Sequence, residues 1–463
     1  METAKQATRD RPAGAGAGVV SPALVAICLG YFMVILDSTI VNVALPALRT
    51  DLHADVTGLQ WVVDSYLLIL AAGLLSGGAW ADRWGARRVF SSGLAVFVVA
   101  SAGCALAPNV VLLVVARLVQ GAGAALAVPA SLALLRATYP DQRSRARAVG
   151  VWGGIAGVAA AAGPILGGLL VSAAGWRWVF LVNVPIGLAA MGLTARFVPS
   201  LAGRSRALDL AGQALAVVAL AALAVALIQG GHAGVSGPVL AAGLVFLAAV
   251  TGFVLVEHRT AEPMLPLRLF ANGTLSGATV IGLLINLGFY GELFVLNLYF
   301  QQTRHWSALL AGLALLPQMG VVAAGSAVSG RFTAHAGSPR PTLLIGLVAG
   351  GAGLAGLLMA GPRTPYLLLV VPLIAAGFGM SFTMPAATTA VTDSVAAEQG
   401  GLASGIINTS RQVGSVLGVA VLGALLGSGD LIPGLRTALL IAAAAFFAGA
   451  AITVLAVRGT GDV

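Results

Sequence analysis

PALVAICLGYFMVILDSTIVNVAL, residues 22–45, decides the fold. Its one charge is Asp37, and no polar stripe recurs at helical spacing. A helix needs about 20 apolar residues to cross the hydrocarbon core of a bilayer. An amphipathic surface helix of this length would carry a polar face instead. The segment is therefore read as a membrane-crossing helix that stays in the protein rather than a cleaved leader.

The same ruler laid along the remaining sequence gives about fourteen spans, at 22–45, 57–79, 89–107, 110–135, 148–172, 178–198, 210–228, 238–256, 274–301, 308–328, 342–360, 366–388, 401–426 and 435–457. Composition agrees. Of the 463 residues, 59% are hydrophobic and 9% charged, where a soluble domain carries about 25% charged residues. The formal charge of +9 comes from short Arg clusters between apolar runs, the pattern of cytoplasmic loops. That distribution argues against nucleic acid as a partner. Cys28 and Cys104 both lie in apolar runs and are expected to be packing residues, with no disulfide. The five His residues are scattered, so no metal site is expected. No phosphate-binding GxxxxGK[ST] loop occurs, so ATP is not the expected energy source. The Gly/Ala repeat at 13–18 reads as a flexible tail.

Lys and Arg set the orientation. With the N-terminus inside, about 18 basic residues fall in inner segments, including Lys5, Arg9, Arg11, Arg204, Arg206 and Arg458, and about 5 in outer ones. Both termini are therefore expected on the cytoplasmic side of a bacterial inner membrane. A weak internal repeat points to two related halves. Gly78 to Gly85 follows the second span, Gly330 to Gly337 follows the tenth, and each pair of glycines is separated by the same spacing.

Charges inside a span are costly and usually functional. Here they are Asp37, Asp64, Arg117, Glu292 and Arg411. At about 1.5 Å of rise per residue they reach comparable depths, which predicts one polar cavity between the halves. A desolvated carboxylate favours its neutral form, so it can hold a proton in one state and release it in another. Proton and substrate would then compete for one acid, with Asp37, Arg117 and Glu292 coupling the proton. Asp64, Arg411, Asn42, Asn286 and Asn297 are candidates to line the cavity and bind substrate, and the asparagines could equally join helices. An acidic cavity favours a cationic or neutral substrate, although the two arginines leave room for an acid. Trp61, Tyr66, Trp176 and Trp178 sit near span ends and are expected to anchor at the interface. The fifth span spaces Gly150, Gly153, Gly154, Gly157, Gly163, Gly167 and Gly168 at roughly helical intervals around Pro164, either for tight packing or for a bending seam.

Four segments resemble the Major Facilitator Superfamily, and within it the fourteen-helix drug:proton antiporters. Residues 36–46, LDSTIVNVALP, resemble the first-helix motif. Gly78 to Arg88 resembles the loop between the second and third helices. Residues 117–125, RLVQGAGAA, are similar to the fourth-helix motif. Residues 163–168, GPILGG, with 176–187, WRWVFLVNVPIG, resemble the fifth-helix antiporter motif and its extension; 402–412, LASGIINTSRQ, also fits. The Gly/Ala-rich style is similar to methylenomycin-resistance-like exporters. The resemblance implies an all-α membrane protein of two six-helix bundles with two extra helices between them. That gives a tail at 1–21, bundles at 22–198 and 257–457, the extra helices at 199–256 and a tail at 458–463. It implies alternating access driven by the proton gradient with no cofactor, and assigns Asp37 and Arg117 to proton coupling. It places Gly78, Asp82, Arg83, Gly85 and Arg87 in a cytoplasmic gate, and makes Gly163, Pro164, Gly167 and Gly168 a motif favouring export. The loop motif departs at Ala86, where a basic residue is usual, and at Ala334, which replaces Asp82 in the second copy.

The expected function is proton-driven efflux of antibiotics or other small hydrophobic toxic compounds. The alternative is proton-linked export of an endogenous metabolite. No nucleophile–base pair suggests an enzyme, and short loops leave no room for a sensor domain. The expected partners are a small-molecule substrate, protons and the lipid bilayer, with the chain acting as a monomer.

Overall fold

The computed structural model describes residues 21–139, 141–200, 209–260, 263, 265–396, 399–426 and 431–457. The terminal tails with Lys5, Arg9, Arg11 and Arg458, and the Arg204–Arg206 stretch, lie outside the described residues. Within them the chain is helical and has no strand. The helices are α1 (Pro22–Asp51), α2 (Val56–Trp84), α3 (Ala86–Ala105), α4 (Val110–Thr138), α5 (Gln142–Ala174), α6 (Trp178–Leu181), α7 (Asn183–Phe197), α8 (Leu210–Ala233), α9 (Gly237–Arg259), α10 (Gly273–Leu298), α11 (Ala308–Ala314), α12 (Leu316–Ala336), α13 (Pro339–Gly356), α14 (Tyr366–Asp393), α15 (Gly400–Ala424) and α16 (Leu431–Ala456). Polar caps close many of the apolar rods. The side chains of Ser21, Asp55, Asn109, Asp141, Asp209, Asn272 and Ser307 each accept from a first-turn amide, satisfying donors that hydrocarbon cannot.

Twelve helical segments are long and apolar enough to cross a bilayer, counting α6 with α7 as one; α11 and α12, bent by 44° at their junction, make a thirteenth. The 401–426 span corresponds to α15, which is not among them. Asn408, Arg411 and Gln412 lower its hydropathy, so its place in the membrane follows from packing rather than from apolarity.

Helices α1 to α7 form one bundle, with α2 on α4, α3 on α4 and α7, and α1 on α5 and α7. A second bundle joins α10 to α15 and α16, and α14 to α12 and α13. Helix α8 packs on α9 and reaches both bundles through α2 and α15. Small residues allow this closeness. A Cβ on Gly123 would meet the Gly93 oxygen at 2.7 Å, and one on Gly291 would meet the Gly418 oxygen at 2.7 Å.

The segment read as a loop at Gly78 to Arg88 is mostly helix. Helix α2 runs to Trp84, Gly85 alone breaks the chain at φ +90°, and α3 starts at Ala86. The repeat at Gly330 ends in the same way, with Gly337 at φ +65° behind α12. The second glycine of each copy is therefore the one the backbone requires, because charged residues at a span end can extend a helix beyond the bilayer.

Candidate functional site

Asp37 lies at the centre of a closed polar network inside the first bundle. It is fully buried and ion-paired with Arg117 from α4. Its Oδ1 accepts from Gln120 Nε2 at 2.9 Å and from Asn183 Nδ2 at 2.8 Å. Gln120 also donates to Ser101 on α3, at 2.8 Å. Arg117 donates through Nε to the Val62 carbonyl at 2.9 Å and through Nη1 to Gln120 Oε1 at 2.8 Å. Its guanidinium lies 4.2 Å from the centre of the Tyr66 ring. Five helices thus hold one acid–base pair, and every donor aimed at Asp37 suits a carboxylate without its proton. Breaking such a buried pair by removing one member costs about 3–5 kcal/mol.

The other acids stand apart from this network. Glu292 on α10 is fully buried and accepts from Gln318 Nε2 of α12 at 2.9 Å. Asp64 is fully buried, and neither of its oxygens has a hydrogen-bond partner. The expectation that the acids and arginines share one cavity is therefore corrected: Asp37, Arg117, Asp64 and Glu292 do not line it. Depth along a helix was legible in the sequence, but the direction around the axis was not. Asn42 and Asn297 do not line it either. Each is buried and donates to the carbonyl four residues earlier, Ser38 at 3.2 Å and Leu293 at 3.0 Å. Each stands at the same offset from its acid, Asp37 or Glu292, so α1 and α10 repeat an acid–asparagine pair.

A cavity of about 490 Å³ lies between the bundles. Tyr31, Asn286, Tyr290, Asn408, Arg411 and Gln412 form its deep wall, and Asp82, Arg136 and Asp209 line the end near α2's C-terminus. Tyr31 stacks on Trp152 with ring centres 3.8 Å apart. The charge of the deep wall is thus basic, which corrects the acidic cavity expected from the sequence. Of the residues expected to line a cavity, Asn286 and Arg411 do line this one.

The opposite end is sealed. Arg49 bonds Gln302 at 2.8 Å, Gln301 bonds the Val43 carbonyl at 3.1 Å, and Gln60 bonds the carbonyls of Val419 and Ala420 at 3.1 and 3.0 Å. The glycines of α5 divide between two tasks. Gly163 and Gly167 press on Thr39 and Ile40 of α1 within one bundle. Gly168 faces Leu309, the Pro164 carbonyl abuts Gly312, and Gly157 faces Ala323, all across the bundles. Nearer the cavity mouth, Gly150, Gly153 and Gly154 have no neighbour where a Cβ would stand. The bundles therefore touch at one end of α5 and diverge toward the other.

The chain matches the Major Facilitator Superfamily profile over residues 27–419 and 337–461. It belongs to the Major Facilitator Superfamily. Among the superfamily's curated members, a methylenomycin A resistance protein of Bacillus subtilis is 38% identical over 406 residues, 87% of each chain. The tetracenomycin C resistance and export protein of Streptomyces glaucescens is 37% identical, covering 92% of this chain and 81% of that one. The multidrug resistance protein Stp of Mycobacterium tuberculosis is 38% identical, covering 88% and 75%. Among solved structures, the xylose transporter XylE of E. coli in a partially occluded inward-open conformation aligns with a TM-score of 0.67 at 14% identity, over 96% of this chain and 98% of that one. That likeness concerns the fold alone.

As a multi-pass membrane transporter of this superfamily, the chain carries its loop motif at the open end of the cavity. Asp82 lines the mouth, and Asp82 and Arg83 are exposed there. Arg87 donates to the Ala195 carbonyl of α7 at 2.6 Å, a contact inside the first bundle. Gly78 is loosely packed, and Gly77 beside it makes the tight contact with α4, against Ala125. Two of the four aromatic residues expected at the interface are inside the protein. Tyr66 is fully buried beneath Arg117 and bonds the Val34 carbonyl at 3.1 Å, and Trp176 is buried with its indole nitrogen 2.8 Å from Asp51. Cys28 and Cys104 are free and buried, and the Cys104 thiol also points at Gln120 Oε1, 3.6 Å away. Gln120, Asn183, Asn408 and Gln412 stand inside the quoted motifs but carry no charge to single them out, and Gln318, Tyr31 and Tyr290 have neither motif nor charge to find them by.

Proposed function

We propose that this protein exports antibiotics or other small hydrophobic toxic compounds in exchange for protons, by alternating access, with no cofactor beyond the proton gradient. One observation carries the reading: a cavity open at one end and sealed at the other lies beside, and separate from, a buried acid–base pair. Small movements at α5 would exchange the two ends, and the Asp37–Arg117 network on α1 and α4 would sense them. The names of the relatives, which speak of antibiotic resistance and export, support the direction of transport. In this reading the open end faces the cytoplasm, both termini lie inside a bacterial inner membrane, and the chain works as a monomer. The bundles at 22–198 and 257–457 rock about the α5 seam, with 199–256 bridging them. Asp82, Arg83 and Arg87 with Gly78 and Gly85 gate the mouth, and Gly163, Pro164, Gly167 and Gly168 set the seam.

The test uses everted vesicles from a bacterium lacking its own drug pumps. An imposed proton gradient, without ATP, is expected to drive accumulation of at least one antibiotic, and collapsing the gradient is expected to stop it. Accumulation of endogenous metabolites alone, with no gain in drug tolerance, would move the assignment to metabolite export. Glu292 is a second proton-carrying acid in this scheme. Glu292→Gln is expected to lower proton-coupled flux of cationic and neutral compounds alike, because the side chain does not line the cavity. A loss confined to cations in the same vesicles would instead mean direct contact with substrate.

A further inference from the structure

The deep wall of the cavity carries a guanidinium and no carboxylate. Arg411 stands about 16 Å along α15 from its start, its stem against Gly282 of α10. Its Nη1 donates to Asn408 Oδ1 at 3.0 Å, and its Nε is buried without a partner. No ion pair with a carboxylate reaches it among the described residues. The cavity's acids, Asp82 and Asp209, are at the open end, where α2 finishes and α8 begins. The contrast with Arg117 is direct. That arginine has an acid, a carbonyl, an amide and an aromatic ring around it, whereas Arg411 meets one amide oxygen from a fork of five N–H donors. A cation at this depth is costly unless something answers its charge.

The surroundings suit a particular answer. Tyr31 and Tyr290 line the same cavity as Arg411 and bring phenol groups to its deep wall. The Tyr31–Trp152 stack, with Ile35, Pro129 and Leu132, gives an apolar wall for a hydrocarbon body. The volume, about 490 Å³, falls in the range of small-molecule pockets, roughly 300–1,000 Å³.

We propose that the exported compound is a small hydrophobic carboxylic acid, bound as its anion, with Arg411 receiving the carboxylate through paired N–H donors. A guanidinium matches a carboxylate's two oxygens in one plane. The inference rests on the exporter reading above and names its substrate class. Export of an anion from a negatively charged interior also draws on the membrane potential, so the charge of such a cargo assists its movement.

The experiment uses the full chain in lipid nanodiscs and three probes on one ring system: 1-naphthylacetate, its methyl ester and 1-naphthylmethylamine. Titration calorimetry is expected to show the acid binding roughly tenfold to a hundredfold more tightly than the ester or the amine, the range of a charge-assisted hydrogen-bonded pair. Arg411→Gln is expected to bring the acid down to the ester's affinity and leave the ester unchanged. Arg411→Lys, which keeps the charge, is expected to retain a preference for the acid. Equal binding of all three probes, a preference for the amine, an equal loss for all three in Arg411→Gln, or no binding of the acid would each overturn the proposal. Vesicle flux separates this failure from that of the exporter reading. Proton-driven export of a neutral drug, together with equal binding of all three probes, would leave an exporter without a carboxylate site. Acid binding at Arg411 with no proton-coupled flux would leave the site without an antiporter.

Discussion

Asp37→Asn is expected to abolish proton-coupled export while leaving a folded, monodisperse protein. The reason lies in the three side chains that donate to Asp37, which are Arg117, Gln120 and Asn183. A carboxylate accepts from all three. Asparagine has the same shape but keeps one acceptor, so its NH₂ faces a donor and one bond is lost. Arg117 keeps its bonds to Val62 and Gln120 and its place over Tyr66. The expected stability loss is therefore near the low end for a broken buried pair, about 3 kcal/mol, a lowered melting temperature rather than a collapse. Coupling suffers more, because the variant has no carboxyl to take up and release a proton between α1 and α4. The measurement is proton release into weak buffer on adding a transported compound, with size-exclusion and melting curves on the same sample. Release and flux equal to the parent in a well-folded Asp37→Asn protein would remove Asp37 from the coupling mechanism.

The sequence made Asp37 legible as an intramembrane acid and hid where it points. Length and apolarity identify a membrane helix without reference to its neighbours, so most spans were readable and the starts of α1, α10 and α14 lie within one residue of those expected, while α1 and α14 run on six and five residues past their expected ends. Depth was readable for the same reason. Direction around the axis is set by partners distant in sequence. At about 100° per residue, Asp37 stands roughly 120–160° around the axis from Tyr31 and Ile35, which line the cavity, and Glu292 has the same relation to Asn286 and Tyr290. The helical wheel held that separation, but nothing local said which face met the cavity. The misplacement of the acids has this source. Acids at cavity depth read as cavity acids, and the structure instead turns them into the bundles and leaves Arg411 facing the space.

Tyr66 and Trp176 fail for a related reason. Near a span end, an aromatic with a polar tip suits the membrane interface equally well as a buried polar partner. Only the approach of α4 to α2, and of α5's far end to α1, selects the second. The loop motif was located correctly and misread in shape, since charged residues at the end of a span do not by themselves end a helix. Gly85 does so, because its backbone angle there is one that side chains disfavour.

The second large effect is expected at the α5 seam, where Gly168→Val should trap the protein with its cavity closed to the side now open. A Cβ on Gly168 would stand 2.7 Å from Leu309 Cα and 2.8 Å from the Ala308 oxygen, both backbone atoms of the opposite bundle. Overpacking of this kind costs about 1–3 kcal/mol, and backbone gives way less than a side chain does. The penalty applies only while α5 and α11 touch, so it weighs on the observed conformation and is relieved when this end parts. A differential of that size moves a two-state ratio by about 5- to 150-fold. Gly163→Ala is the matched control. Its Cβ would collide with Thr39 of α1 inside one bundle, a contact expected to persist as the bundles rock, so it should lower the melting temperature without shifting the two states. A cysteine placed at Leu132, on the cavity wall, reports the difference through its alkylation rate, since Cys28 and Cys104 are buried. Slower labelling in Gly168→Val, with labelling unchanged in Gly163→Ala, is the expected pair of results. Equal labelling in both variants would mean that the α5–α11 contact does not change between states, and the seam would have to be sought elsewhere on the interface.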